Sequence, residues 1–196
     1  PTSTNSFYKS SPKFFNSSGD NFLTTAAAAK LAYDSGVRRV AIFGSLQPWE
    51  SDQAAIFKSE FSRMGGLIVA EEYPPADQTD YRIEALRIVK SNPDGVFFAI
   101  FNQIASASRA LKINGFKGRK YAAIIDKAHI EASAGSLEGT EIYLFNPPGA
   151  NFVDKFHKKY VQTPGVFADS AYDALLSLGL AINQAKSLDR ERVISE

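Results

Sequence analysis

Residues 39–70 read RVAIFGSLQPWESDQAAIFKSEFSRMGGLIVA, two short apolar runs separated by a segment of helical length. The runs, Arg39–Phe43 and Leu67–Ala70, are rich in β-branched and aromatic residues, as strands are. The larger apolar residues of the middle segment repeat at helical spacing, namely Phe57, Phe61 and Met64. The stretch therefore predicts a strand, a helix and a second strand, the unit from which parallel sheets are built.

The same alternation continues toward residue 145. Three further apolar runs predict strands at Gly95–Ile100, Lys120–Ile125 and Thr140–Phe145. The first four runs are apolar along their length rather than alternating, which is typical of strands covered by helices on both faces. We therefore predict an α/β fold with a doubly wound, mostly parallel sheet.

Two of the flanking helices are predicted to face the sheet through apolar residues at helical spacing. These residues recur at every fourth position in one helix and at every third position in the other: Leu23, Ala27 and Leu31, then Ile83, Leu86 and Val89.

The pattern changes at Asn146-Pro147-Pro148-Gly149. Two helices are predicted after it, Phe152–Tyr160 and Ala168–Ala185, with no strand between them. Because proline and glycine interrupt both helices and strands, we predict that the chain crosses between two lobes at this segment.

Composition narrows the functional classes. Hydrophobic residues make up 44% of the chain and aromatic residues 12%, which is ample for a folded core. The net charge is +1, so no basic stripe predicts a nucleic-acid partner. The absence of cysteine excludes a disulfide scaffold, a cysteine nucleophile and thiolate zinc sites. Residues 1–6 have neither the basic nor the apolar stretch of a secretion signal, so we expect any leader of an exported parent protein to be absent from this chain.

A binding site is predicted at the carboxyl ends of the strands, where ligands bind in open parallel sheets. This rule selects the loops at residues 44–50, 74–80, 101–103 and 126–129. Their side chains suit a small zwitterion: flat apolar walls, an amide and a carboxylate that can pair with an ammonium group. The candidates are Trp49, Phe101, Asn102 and Asp126.

Each candidate also has a purely structural interpretation. Trp49 can act as a lid over the core, Asp126 as the cap of the next helix, and Phe101 as the continuation of a buried strand. His129 lies near the predicted ligand mouth and is a weaker candidate, while His157 lies among lysines on a solvated helix face. The chain has no GxGxxG, phosphate loop or GxSxG motif. We therefore predict no catalytic residue, no metal site, no cofactor and no enzymatic activity.

An ordered series of segments resembles one known family. The series includes VAIF at 40–43, IVAEEYPP at 68–75, NPDGVFF at 92–98, FVDKF at 152–156 and AYDA at 171–174. Together these segments resemble type I periplasmic solute-binding proteins of the branched-chain amino acid transporter class, which are Leu/Ile/Val-binding-protein-like.

The resemblance implies a domain organisation. Residues 1–14 would be an inter-lobe segment from lobe 1, residues 15–146 the α/β ligand-binding lobe 2, and residues 147–196 a helical remnant of lobe 1. It also implies a function: an ABC transporter component in the periplasm or outside the cell, which binds an amino acid or related molecule in an inter-lobe cleft and delivers it to an inner-membrane permease.

The resemblance also assigns site residues. The segment PTSTN at 1–5 matches the one that holds the ligand's ammonium and carboxylate groups, which gives Thr4 a hydroxyl role and places the Thr2 backbone beside it. In lobe 2 an aromatic residue after the first strand, another residue after the third and an acid after the fourth complete the site. The matching residues are Trp49, then Phe101 or Asn102, and Asp126.

The chain departs from the family in two ways. Family members are roughly twice as long, so most of lobe 1 would be missing, and we expect binding by this chain alone to be weak or absent. Its later helices would then expose apolar faces, so we expect rearrangement, a homodimer through these helices, or a partner chain. These faces carry Leu175, Leu176 and Leu178. Trp49 stands where an amino-acid binder often has tyrosine, which leaves the ligand's identity open.

Two other functions are compatible with the sequence. A sensory ligand-binding domain of a receptor or regulator shares this architecture and differs in what is fused to it. An enzyme on a Rossmann-like scaffold would use Asp126 or His129 as acid or base, but the missing phosphate loop argues against it.

Overall fold

A computed structural model describes residues 15, 17, 19–75, 77–143 and 148–195. The chain divides into two compact units, one formed by Asn21–Phe145 and the other by Pro1–Asp20 with Asn146–Glu196. The larger unit contains the sheet, and the smaller unit contains the later helices. No helix of the described residues is long and apolar enough to cross a bilayer.

Helices and strands alternate through the larger unit. The strands are β1 (Arg39–Gly44), β2 (Leu67–Glu72), β3 (Gly95–Ala99), β4 (Arg119–Ala122) and β5 (Thr140–Ile142). The helices of this unit are α1 (Asn21–Asp34), α2 (Pro48–Arg63), α3 (Arg82–Lys90), α4 (Ile104–Ile113) and α5 (Lys127–Ala132). The smaller unit contributes α6 (Ala150–Tyr160), α7 (Ala168–Ala185) and α8 (Arg190–Ile194).

The five strands form one sheet in the order β2-β1-β3-β4-β5, and every neighbouring pair is parallel. The α/β class and the parallel sheet predicted from the sequence are therefore confirmed. Strand order reverses between β1 and β3, because the chain leaves β1 toward β2 and then returns to the other side of β1. This reversal is the topological switch point, where a crevice opens beyond the carboxyl ends of the strands.

Apolar layers cover both faces of the central strands, as predicted for buried parallel strands. Successive residues of β1 point to opposite faces: Ala41 and Phe43 belong to the layer beneath α3 and α4, and Val40 and Ile42 to the layer beneath α1 and α2. The second layer includes a stack of Phe57 on Phe97, with ring centroids 4.1 Å apart. This double coverage fixes the carboxyl ends of β1 and β3 as a rigid base for the loops that follow.

The strand at the sheet edge differs from the prediction. β2 is only partly covered, and Leu67 is exposed, because an edge strand has a neighbour on one side alone. The fourth strand ends at Ala122, three residues before the predicted Ile125, although Ala123–Ile125 remain buried. Phe145, the predicted end of the fifth strand, lies outside the described residues.

The predicted face of α1 is wrong, and that of α3 is correct only for Val89, which packs partly buried against the core. In α1 the leucines Leu23 and Leu31 are exposed, and the buried face carries small residues instead. In α3, Ile83 and Leu86 are exposed, while Ala85 and Ile88 are buried. Small side chains let a helix axis lie close to its neighbours, so tertiary packing selects the alanine face over the larger apolar one.

The helices of the smaller unit expose apolar side chains. Leu175, Leu176 and Leu178 on α7 are exposed, as the sequence predicted. An aromatic cluster joins α6 to α7, since the ring of Phe152 lies 5.7 Å from that of Tyr172. Among its described residues, the unit therefore combines internal packing with several exposed apolar side chains.

Candidate functional site

Two predicted aromatic walls meet at the switch point. Trp49 is the second residue of α2, shortly after β1, and Phe101 lies two residues after β3. Their rings are in edge-to-face contact, with centroids 6.3 Å apart and planes at 89°. Both side chains are half-buried, so neither is a core residue nor a free surface residue. The structural alternative required Phe101 to continue the buried strand. It does not, because β3 ends at Ala99.

A third ring extends this pair. His129 meets Phe101 edge to face, with ring centroids 4.6 Å apart and planes at 78°. Trp49, Phe101 and His129 thus form an aromatic row that follows three strands, β1, β3 and β4, which are neighbours in the sheet. The sequence placed His129 near the mouth of the site but gave no reason to group it with the other two rings.

Asp126 caps the helix that carries His129. Its Oδ1 accepts a hydrogen bond from the His129 backbone N–H at 2.8 Å and lies 2.9 Å from Nδ1 of the same residue. The interpretation of Asp126 as a helix cap is therefore confirmed. Both contacts use Oδ1, and 40% of the Asp126 side chain is exposed, so the carboxylate retains an accessible face for a cationic group.

The remaining predicted residues are less defined by the structure. Asn102 follows Phe101 and is exposed, two residues before α4 begins. Its amide can donate and accept hydrogen bonds at the same edge of the sheet. Thr2 and Thr4 lie outside the described residues, so their assigned roles stay predictions.

The loop after β2 holds its polar groups within itself. The Arg82 guanidinium contacts Asp80 at 2.5 Å and holds the pKa of that carboxyl below its usual range. At the start of this loop, burial and a hydrogen bond to Glu71 raise the pKa of the Tyr73 hydroxyl. Asp80 is thus paired with the first residue of α3, and Tyr73 with a residue of β2.

A buried acid at the switch point was missed by the sequence reasoning. Glu50 directly follows Trp49, and its side chain is 5% exposed. Its carboxylate accepts hydrogen bonds from the Ser45 hydroxyl and from the Phe101 backbone N–H. The sequence offered one signal, an acid in the first turn of a helix beside a candidate ligand wall. It gave no indication of the partner, because Phe101 is 51 residues away.

A cavity lies in the smaller unit, away from the switch point. It has a volume of about 720 Å³ and is lined mainly by apolar side chains of α7 and α8, including Leu178, Ile182 and Val193. Of the predicted site residues that the structure describes, none lines it. Within the described part of the chain, no cluster of three or more acidic or histidine side chains is arranged to hold a metal ion.

The fold and the family match together identify the class of protein. An open, all-parallel α/β sheet with its switch point between β1 and β3 is the architecture of type I periplasmic binding proteins. The sequence model described as periplasmic binding protein matches residues 1–196, and the chain belongs to this family. It is a family of solute-binding proteins rather than enzymes, whose members bind small molecules and work with ABC transporters.

Solved structures resemble the whole of this chain. A leucine-binding protein, LivK, from Thermotoga maritima is 26% identical with a TM-score of 0.89, and the match covers 100% of this chain and 59% of LivK. A solute-binding protein of an ABC transporter from R. palustris, in complex with 4-hydroxybenzoate, is 23% identical with a TM-score of 0.87, covering 99% of this chain and 57% of the other.

An extracellular ligand-binding receptor from Rhodopseudomonas palustris is 21% identical with a TM-score of 0.78, covering 89% of this chain and 55% of the receptor. The chain therefore spans between 55% and 59% of the length of these three proteins. No curated protein matches the chain at a significant level.

Proposed function

We propose that this chain supplies one ligand-binding wall of a solute-binding protein that serves an ABC transporter. The single observation that carries the proposal is the convergence of Trp49, Phe101 and Asp126 on the carboxyl edge of β1, β3 and β4. Flat rings exclude water from an apolar ligand body, and a half-exposed carboxylate recognises a cationic end. An amino acid or a related small polar molecule has both features.

In this proposal the chain contributes to both lobes of a two-lobed binding protein. Residues 15–146 form lobe 2, residues 147–196 are helices of lobe 1, and residues 1–14 are the inter-lobe segment that brings Thr2 and Thr4 to the ligand. Closure of two lobes about a hinge would bury the ligand and present a closed surface to the permease. The protein would work in the periplasm or outside the cell.

Nuclear magnetic resonance titration of the ¹⁵N-labelled chain tests the proposal, because it detects weak binding. The probes are L-leucine, L-phenylalanine and 4-hydroxybenzoate, each raised to millimolar concentration. We expect saturable shifts of the Trp49 indole, Phe101, Asn102 and Asp126 resonances with at least one probe. Shifts confined to other regions, or no binding of any probe by the two-lobed parent protein, would contradict the assigned site.

A sensory role is the second candidate, since one similar structure is an extracellular ligand-binding receptor. The ligand site would be the same and the partner would differ. Coupling to a transporter predicts that the parent protein stimulates ATP hydrolysis by its permease complex in a ligand-dependent way. A parent protein that binds the ligand but leaves ATP hydrolysis unchanged would favour the sensor.

A further inference from the structure

A closed set of hydrogen bonds joins the ends of β1 and β3. The backbone N–H of Ser45 donates to the carbonyl of Ala99, the last residue of β3, at 2.9 Å. The Ser45 hydroxyl donates to Oε2 of Glu50, and the N–H of Phe101 donates to Oε1 of Glu50 at 2.6 Å. Since Phe101 is two residues beyond Ala99, these bonds form a ring of contacts across the switch point. We call it the Glu50 bridge.

The Glu50 bridge is built around a buried charge. Glu50 is 5% exposed and Ser45 is 4% exposed. Burying a carboxylate is costly unless it accepts hydrogen bonds, and here each oxygen has a donor. The position in the first turn of α2 lowers this cost further, because the helix dipole favours a negative charge at its N-terminus.

The bridge acts on both aromatic walls at once. Trp49 is the chain neighbour of Glu50, so the helix turn that holds the carboxylate also places the indole. Phe101 is held through its own backbone N–H. The 6.3 Å contact between the two rings therefore depends on one carboxylate that links them across the sheet.

We propose that Glu50 is a positioning residue for the ligand site, which sets the placement of Phe101 relative to Trp49 without contacting the ligand. This inference rests on the proposed function. Both carboxylate oxygens are engaged by protein donors and the side chain is almost inaccessible, so a direct ligand contact does not account for the charge. A site whose walls are fixed before binding loses less conformational freedom when the ligand arrives.

The test compares Glu50→Ala and Glu50→Gln with a matched control. Glutamine keeps an acceptor for Phe101, while alanine removes it. The control is Asp94→Ala, because Asp94 accepts from the backbone N–H groups of Arg38 and Arg39, at 3.0 and 2.9 Å, at the opposite end of the sheet. Both alanine variants thus remove a carboxylate that ties strands together, and only one of them lies at the site.

The first measurement is the amide proton shift of Phe101, which needs no ligand. We expect an upfield movement in Glu50→Ala, a smaller movement in Glu50→Gln and none in Asp94→Ala. If Glu50→Ala does not fold, Ser45→Ala serves instead, since loss of the hydroxyl leaves Oε2 unpaired and should shift the same resonance by a smaller amount. An unmoved Phe101 resonance in the folded Glu50 or Ser45 variants would overturn the inference.

The second measurement is the affinity for L-leucine and 4-hydroxybenzoate, determined by nuclear magnetic resonance titration. Without this hydrogen bond, ligand binding must also order Phe101, and that cost is at most the free energy of the lost bond, so we expect affinity to fall by up to about tenfold in Glu50→Ala. Glu50→Gln should recover most of it, and Asp94→Ala should stay within about twofold of the unaltered chain. Equal affinities in Glu50→Ala and Asp94→Ala would refute the positioning role.

Failure of the proposed function would look different. If neither the unaltered chain nor the two-lobed parent protein binds either probe at the site residues, the proposed ligand site is wrong for these ligand classes. The Phe101 amide shift then still decides whether the carboxylate holds this backbone in place.

Discussion

Replacement of Asp126 separates its two roles, because the cap and the ligand contact make different demands on the side chain. Asparagine caps a helix about as well as aspartate but carries no charge. Alanine provides neither a capping oxygen nor a charge. Asp126→Asn should therefore keep the fold's stability and lose the cationic end of the ligand, while Asp126→Ala should lose both.

The magnitudes follow from the geometry. The side chain of Asp126 contributes one bond of the capping box, 2.8 Å to the His129 N–H, so its loss in Asp126→Ala should cost about 1 kcal/mol of unfolding free energy. With 40% of the side chain exposed, solvent screens the ligand contact, and we discount it to about 1 kcal/mol, or roughly fivefold in affinity. Both variants should show this same loss of affinity.

Urea unfolding followed by circular dichroism measures the first quantity, and resonance titration with L-leucine measures the second. Asp189→Ala is the control, because Asp189 caps α8 through a bond of 3.1 Å to the Arg192 N–H, in the helical unit. Asp189→Ala should lose a similar amount of unfolding free energy and no affinity for L-leucine. If Asp126→Asn binds L-leucine as the unaltered chain does, Asp126 is only a cap and its ligand role is wrong.

Two further predictions concern stability. A methyl group at Gly66 would lie 2.2 Å from the fully buried ring of Phe61, so Gly66→Ala should destabilise the fold by about 2–3 kcal/mol in urea unfolding. Gly36→Ala, which meets only the strain of a φ of +90°, should cost less, about 1–2 kcal/mol, and a reversed order would contradict the packing argument. Burial and Glu71 raise the pKa of Tyr73 in the folded state. In the unfolded chain the pKa of tyrosine is about 10, and below that pH the protonated Tyr73 contributes its full stabilisation. This contribution is lost as the pH rises through the higher folded pKa. Stability should thus fall in strong alkali, and Tyr73→Phe should flatten this fall in unfolding free energy measured against pH; an unchanged slope would show that Tyr73 does not cause it.

Much of the fold could be predicted from local pattern. Apolar runs without alternation predicted buried parallel strands, and β1 and β3 are covered on both faces for that reason. The rule that ligands bind at the carboxyl ends of parallel strands then selected loops before any contact was known. Two of these loops bring Trp49 and Phe101 into contact.

Helix faces were harder to predict than helix positions. In α1 both a leucine face and an alanine face recur at helical spacing, and hydrophobicity alone favoured the leucines. The buried apolar residues are Ala28, Ala29 and Ala32, whose small side chains allow close packing against the sheet and α2. Volume at a tertiary contact is not encoded in the period of one helix.

The sequence by itself determined that the chain alternates strands and helices, that its sheet is parallel, and which loops follow the strands. These features depend on residues close together in the chain. The tertiary structure alone decided that β1 lies beside β3, and therefore that Glu50 bonds Phe101 and that His129 joins the aromatic row. Strand order is set by the packing of whole layers, and contacts between distant residues exist only once that order is fixed.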